Sequence, residues 1–96
     1  MMKKELLWLP EAIEDIARLH EFLKNKSPKA TSRMVDLLLT GADQLLDFPE
    51  IGKPLGDELK RRELYLAFGA GAYVLRYVLS EKSIVVIRVW HSREER

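Results

Sequence analysis

The sequence contains no cysteine. That excludes a disulfide framework, a thiolate nucleophile and a cysteine-based zinc site, and it fits a reducing, cytoplasmic setting. No apolar run approaches the roughly 20 residues needed to cross a bilayer, so no membrane partner is expected. The opening MMKKELLWLP is basic and then apolar, but its apolar part is only Leu6 to Leu9. That is too short for a signal-peptide core, and a charged helix follows at once. Histidine is scarce: His20 and His91 lie far apart, with no HExxH pair, so no metal site is expected. Glycine patterns for nucleotide phosphates and the GxSxG elbow are also missing, so no cofactor is implied. Charge of one sign is not in excess either, since 16 basic and 15 acidic residues leave +1. Nothing in that balance draws the chain to nucleic acid, and no direct DNA binding by the chain alone is expected.

What is present is an ordinary globular composition, 47% hydrophobic and 32% charged. At 96 residues, 1–96 form one domain with a single core. Lys3 to Leu9 alternates imperfectly and reads as a first strand. Pro10 cannot continue a ladder but suits the first turn of a helix. Glu11, Glu14 and Asp15 then complement the helix dipole. Ile13, Ile16, Leu19/His20 and Leu23 give one buried stripe, His20 being structural, and the helix ends near Asn25.

Ser27-Pro28 restarts a helix, with serine as N-cap and proline at the first helical position. Met34, Leu37, Leu38, Gly41, Leu45 and Phe48 repeat at helical steps, widened by Val35, Leu39, Ala42 and Leu46. A face that wide predicts packing against both the first helix and a sheet. Pro49 stops the helix, and the short link between the two helices predicts an antiparallel hairpin. Pro49 to Lys60 reads as a loop. Arg62 to Phe68, Ala72 to Leu79 and Ile84 to Trp90 read as three strands, joined by Gly69-Ala70-Gly71 and by a turn at Ser80 to Ser83.

The expected fold is therefore α+β: an N-terminal strand, an antiparallel helix hairpin, then a three-strand antiparallel meander, with the helices on one face of the sheet. The last strand is so apolar that it is expected to be central. Strict alternation sets Tyr73, Leu75, Tyr77 and Leu79 against Val74, Arg76 and Val78. In the last strand it sets Ile84, Val86, Arg88 and Trp90 against Val85, Ile87, Val89 and His91.

The chain is organised around Ala72 to Arg93, whose exit gathers Trp90, His91 and Arg93 within four residues. The basic surplus lies in the second half and is mostly arginine: Arg61, Arg62, Arg76, Arg88, Arg93 and Arg96. Arginine forks suit phosphate or carboxylate. Arg76 and Arg88, inside apolar strands, must face solvent, pair with a carboxylate or line a site. Cleavage of RNA through its 2′-hydroxyl would need an acid, a base and cations. His91 can serve as the acid or the base, and Arg61, Arg62, Arg76 or Arg93 as the cations. Arg76, Arg88, Trp90, His91 and Arg93 are equally usable for binding a target or partner. Trp8, Phe68 or Trp90, if exposed, would mark an interface.

Over nearly its whole length the chain resembles the RelE/ParE superfamily of toxins from bacterial type II toxin–antitoxin modules. The resemblance rests on WLPEAIEDI, Ser27-Pro28-Lys29-Ala30, LLDFPEIGKPL, RREL at 61–64, YVLRYVL at 73–79 and IRVWHSRE at 87–94. It implies a cytoplasmic toxin, often serving plasmid stabilisation, that causes growth arrest until a cognate antitoxin wraps around it. RelE-like members are ribosome-dependent mRNA interferases, metal-independent endoribonucleases whose partners are the ribosome and mRNA. ParE-like members inhibit DNA gyrase and need no RNase site. RelE-like enzymes carry an arginine after the first aromatic of the middle strand; here Val74 follows Tyr73. They also carry a C-terminal tyrosine, and this sequence runs to Arg96 without one. Both departures favour the ParE-like branch, with gyrase as the target and no catalysis. The alternatives are an mRNA interferase using His91 and Arg93, or an inactive homologue kept as a binding module.

Overall fold

The computed structural model describes residues 4–94; Lys3 and Arg96, named above, lie outside that range. The elements run β1 (Glu5–Trp8), α1 (Pro10–Lys24), α2 (Pro28–Asp43), a 3-10 turn at Gln44–Leu46, β2 (Lys53–Pro54), β3 (Arg61–Phe68), β4 (Gly71–Leu79) and β5 (Ser83–His91). They form one five-stranded sheet of order β1-β5-β4-β3-β2, in which only the β1–β5 pair is parallel. Both helices pack on one face. None of the described helices is long and apolar enough to cross a membrane.

Pro10 opens α1 as expected, and Leu9 precedes it in an extended conformation. The buried stripe of α1 is rotated from the expected one. It comprises Ala12, Asp15 and Leu19, with Ile16 and Leu23 at its margin, while Ile13 and His20 face outward. Asp15 therefore serves the core rather than the helix dipole.

Ser27 caps α2 by accepting the Ala30 N–H at 3.1 Å. The α2 stripe of Met34, Leu38, Gly41 and Ala42 packs against α1 and the sheet. Gly41 is the tight point, because an added Cβ would lie 2.5 Å from a Leu66 methyl. The α-helix ends at Asp43 rather than reaching Phe48. Leu45 remains buried in the 3-10 turn, and Phe48 and Leu39 are exposed. The expected loop 49–60 holds the short β2, because Gly52 is drawn beneath the sheet. The Tyr77 hydroxyl accepts the Gly52 N–H at 2.8 Å and donates to the Pro49 carbonyl at 2.8 Å.

In the meander, β4 is the central strand. Strand β5 is interior, but β1 flanks only residues 83–86 of it. The alternation of β5 breaks at Ile87: Tyr77 pairs with Val86, yet Arg76 pairs with Arg88. One extra residue is a β-bulge, which resets the faces downstream. Ile84, Val86 and Val89 all point under the helices and are fully buried. Arg88 and Trp90 turn to the uncovered face, beside Val85, Val74 and Arg76. Strict alternation placed Arg88 and Trp90 with Val86, and the bulge reverses that. Trp8, Phe68 and Trp90 are each half-buried rather than fully exposed.

Candidate functional site

The uncovered face of the sheet carries Arg61, Glu63, Tyr65, Val74, Arg76, Arg88 and Trp90 in register. At its centre Val74, flanked by Tyr65 and Trp90, is buried. The Arg76 guanidinium lies 4.9 Å above the Trp90 ring and donates twice to Glu63 Oε2, at 2.9 and 2.6 Å. Tyr65 donates to the other Glu63 oxygen at 3.0 Å. That hydrogen bond to Glu63, with a smaller contribution from burial, raises the Tyr65 phenol above its ordinary range.

Arg61, Arg62 and Arg88 are equally engaged. Arg61 forks onto Asp57, whose carboxyl is lowered by the Arg61 backbone and side-chain donors. Arg62 donates to the Glu50 and Gly52 carbonyls, at 2.9 and 2.8 Å, and so pins the loop before β3. Arg88 holds both oxygens of Asp15, at 2.7 and 3.1 Å.

Asp15 explains what closes the bare half of β5. Where β1 ends, the Asp15 carboxylate accepts the Val89 N–H at 2.8 Å, and Arg18 reaches the Val89 carbonyl at 3.4 Å. Two side chains of α1 thus occupy the place of a strand. Arg18 also ion-pairs with Glu94 at 3.1 Å, and Glu94 accepts the His91 N–H at 2.8 Å. The turn after β5 is in this way latched to α1. Burial alone would raise the Asp15 carboxyl, but the donors Arg88, Val89 N–H and Arg18 outweigh it and lower the pKa.

His91 and Arg93 sit at the far end of the sheet, away from Arg61 and Arg62. The His91 Nδ1 accepts the Arg93 N–H at 3.1 Å, which in a neutral ring leaves the proton on Nε2. Its ring stands edge-on to Tyr73, centroids 4.9 Å apart, and Tyr73 in turn meets Phe68 at 5.1 Å. Gly71 lies against the His91 ring, where an added Cβ would be 2.7 Å from Cε1. Ser92 ties the same turn to the start of β4, taking the Ala72 N–H on its Oγ at 3.0 Å. Arg93 itself makes one long contact, 3.5 Å to the Ala70 carbonyl.

The structure therefore brings Arg76, Arg88 and Trp90 together on one face and sets His91 and Arg93 apart at its end. No group of three potential metal ligands forms among the described residues. Sequence reasoning passed over Arg33, whose guanidinium caps the Phe68 ring at 5.5 Å and continues the row Phe68–Tyr73–His91 on the helix side. Its place is set by the fold, not by any local motif. Sequence reasoning assigned Asp15 to the helix dipole and missed its buried role; the signal that could have found it is a carboxylate sharing the apolar spacing of Ala12, Ile16 and Leu19.

Comparison with known proteins agrees with this geometry. A family model described as the ParE toxin of the type II toxin–antitoxin system parDE matches residues 6–96. Toxin RelE3 of Caulobacter vibrioides is 38% identical over 91% of this chain and 92% of its own length. Toxin RelE1 of the same organism is 38% identical over 88% and 89%. A solved structure titled as the chromosomal ParDE system from P. aeruginosa superposes with a TM-score of 0.69 at 14% identity, covering 91% of this chain and 94% of that one, which shows a shared fold. The sheet with its two helices on one face, its β5 exit and the sequence match across nearly the full length have one reading: the chain belongs to the ParE toxin family, within the RelE/ParE superfamily of type II toxin–antitoxin toxins.

Proposed function

We propose that this toxin arrests growth in the cytoplasm by binding DNA gyrase, without catalysis of its own, and that a cognate antitoxin neutralises it. The observation that carries this reading is the commitment of Arg61, Arg62, Arg76 and Arg88 to the fold. Arg61, Arg76 and Arg88 are each held by a carboxylate, and Arg62 by two backbone carbonyls. A phosphorane-stabilising arginine needs its donors aimed at the reacting group, not spent on the protein's own carboxylates. Val74 adds to this, since the position where RelE-like enzymes carry a cation holds a buried aliphatic side chain. His91 has Nδ1 occupied and its Cε1–Nε2 side against Gly71, a poor posture for a proton shuttle.

The purified toxin should block supercoiling by gyrase or trap cleaved DNA. No effect at micromolar excess would overturn this reading. A second reading, ribosome-dependent mRNA cleavage, draws on Arg33 and Arg93, which pair with no described carboxylate. It requires codon-specific cleavage on ribosomes that is lost in Arg93→Ala and His91→Ala. Expression without antitoxin that leaves growth unaffected would point instead to an inactive binding module.

A further inference from the structure

The turn after β5 lies at the surface, yet its backbone is held from several sides. The Ser92 N–H donates to the Ala72 carbonyl at 2.7 Å, and the Glu94 N–H to the His91 carbonyl at 3.0 Å. The Ser92 hydroxyl accepts the Ala72 N–H, and His91 Nδ1 accepts the Arg93 N–H. The His91 ring rests against Gly71 and the edge-on Tyr73 ring. Arg93 itself is exposed, and among the described residues its side chain makes only the 3.5 Å contact to the Ala70 carbonyl. A fixed backbone carrying a loosely held cation suits a contact residue, because the turn is ordered before its target arrives.

One residue of α1 ties that turn to the body of the fold. Arg18 lays its fork on Glu94, with Nε 3.2 Å from Oε2 and Nη2 3.1 Å from Oε1. Glu94 Oε1 in turn accepts the His91 N–H at 2.8 Å. On its inner side Arg18 bonds Asp15 and reaches the Val89 carbonyl. Asp15 does not depend on Arg18 alone, since Arg88 and the Val89 N–H also reach its oxygens. Burial of Asp15 therefore leaves the fork on Glu94 unexplained. The Arg18 and Glu94 side chains are 45% and 29% exposed, so their pair adds little to global stability. What a two-toothed pair does supply is direction.

We propose that Arg18 is a positioning residue. Through Glu94 and the His91 N–H it sets the direction in which the turn presents Arg93 to the target of the toxin. This rests on the reading of Arg93 as a target contact, and it adds a residue of α1 that acts without touching the target.

The test is growth arrest by the full chain produced without antitoxin, read as the inducer level for half-maximal arrest at matched toxin abundance. Arg18→Ala and Arg93→Ala should each raise that level by about 10-fold, the effect of losing one pre-ordered contact. The double variant should be no worse than the weaker toxin of the two, because one residue acts through the other. A merely structural Arg18 would give losses that add, together with a lowered melting temperature; the melting temperature should instead stay within about 5 °C of wild type. In Arg18→Ala the His91 and Arg93 amides should exchange about 10-fold faster, with the Leu75 amide of β4 unchanged. If Arg18→Ala fails to fold, Glu94→Gln breaks the same ion pair, keeps an acceptor for the His91 N–H and takes its place in the cycle. Full arrest by Arg18→Ala, or losses that add, would overturn this inference alone. Arrest by wild type with gyrase untouched would overturn the target reading, and the same cycle still decides this inference. A wild-type chain that leaves growth unaffected would overturn both.

Discussion

Asp15 of α1 and Val89 of β5, 74 positions apart in sequence, are joined by a 2.8 Å hydrogen bond from the Val89 N–H to the Asp15 carboxylate. A helix side chain here does the work of a neighbouring strand. Asp15→Ala should therefore cost about 1–3 kcal/mol, because it strands a buried N–H. The accompanying loss of Arg88 and Arg18 adds little, since both arginines stay nearly half in water. Urea unfolding of the two proteins measures it.

The same carboxylate sets a pH limit. Its folded pKa is depressed below the ordinary 3.8. Its contribution to stability is therefore complete above that value and is lost as pH falls through the lower folded one. Wild type should lose stability in acid more steeply than Asp15→Asn, with the two curves converging below pH 3.8. Chemical denaturation between neutral pH and strong acid gives both slopes.

Tyr77→Phe should loosen the segment 49–52. The hydroxyl is the shared partner of the Gly52 N–H and the Pro49 carbonyl, and its loss should cost about 1–3 kcal/mol. Gly52→Ala attacks the same joint from the other side, since its Cβ would lie 2.5 Å from the Tyr77 hydroxyl oxygen. Thermal melts should rank both below wild type.

Arg93 and Arg88 should separate function from fold. Among the described residues the Arg93 side chain makes only the long contact to Ala70, so Arg93→Ala should change stability by less than about 0.5 kcal/mol while reducing growth arrest. Arg88→Ala removes a partner of a buried carboxylate and should destabilise measurably. Melting temperature and plating efficiency on induction, measured together, test the pair. Equal toxicity of Arg93→Ala and wild type would remove Arg93 from the target surface.

Much of this architecture was legible in residue order. Pro10 and Ser27-Pro28 mark helix starts because their covalent geometry and capping act locally. The alternation in 62–68 and 72–79 gave two of the strands for the same reason. Three features were not legible. The bulge at Ile87 leaves no mark in an apolar run, since isoleucine and valine suit either face. The stripe of α1 was misplaced by one position because Ile13 is apolar yet outward, while a buried Asp15 carries the core-facing spacing. The pairing of Arg76 with Glu63 and of Arg88 with Asp15 depends on register between distant segments, which no local pattern encodes. The exit residues His91 and Arg93 stand out in the sequence, but their separation from the face holding Arg76 needed the fold.

The parallel pairing of β1 with β5 has a consequence for synthesis. Glu5 meets Ser83, so the first strand made must wait for the last before its hydrogen bonds can form. A nascent chain that has released only its helices and β3 has no partner for β1 and no buried place for Asp15. Contacts of such sequence separation form late, after their loop-closure cost has been met. Strand β1 and the Asp15 carboxylate thus find their places only once β5 has cleared the ribosome.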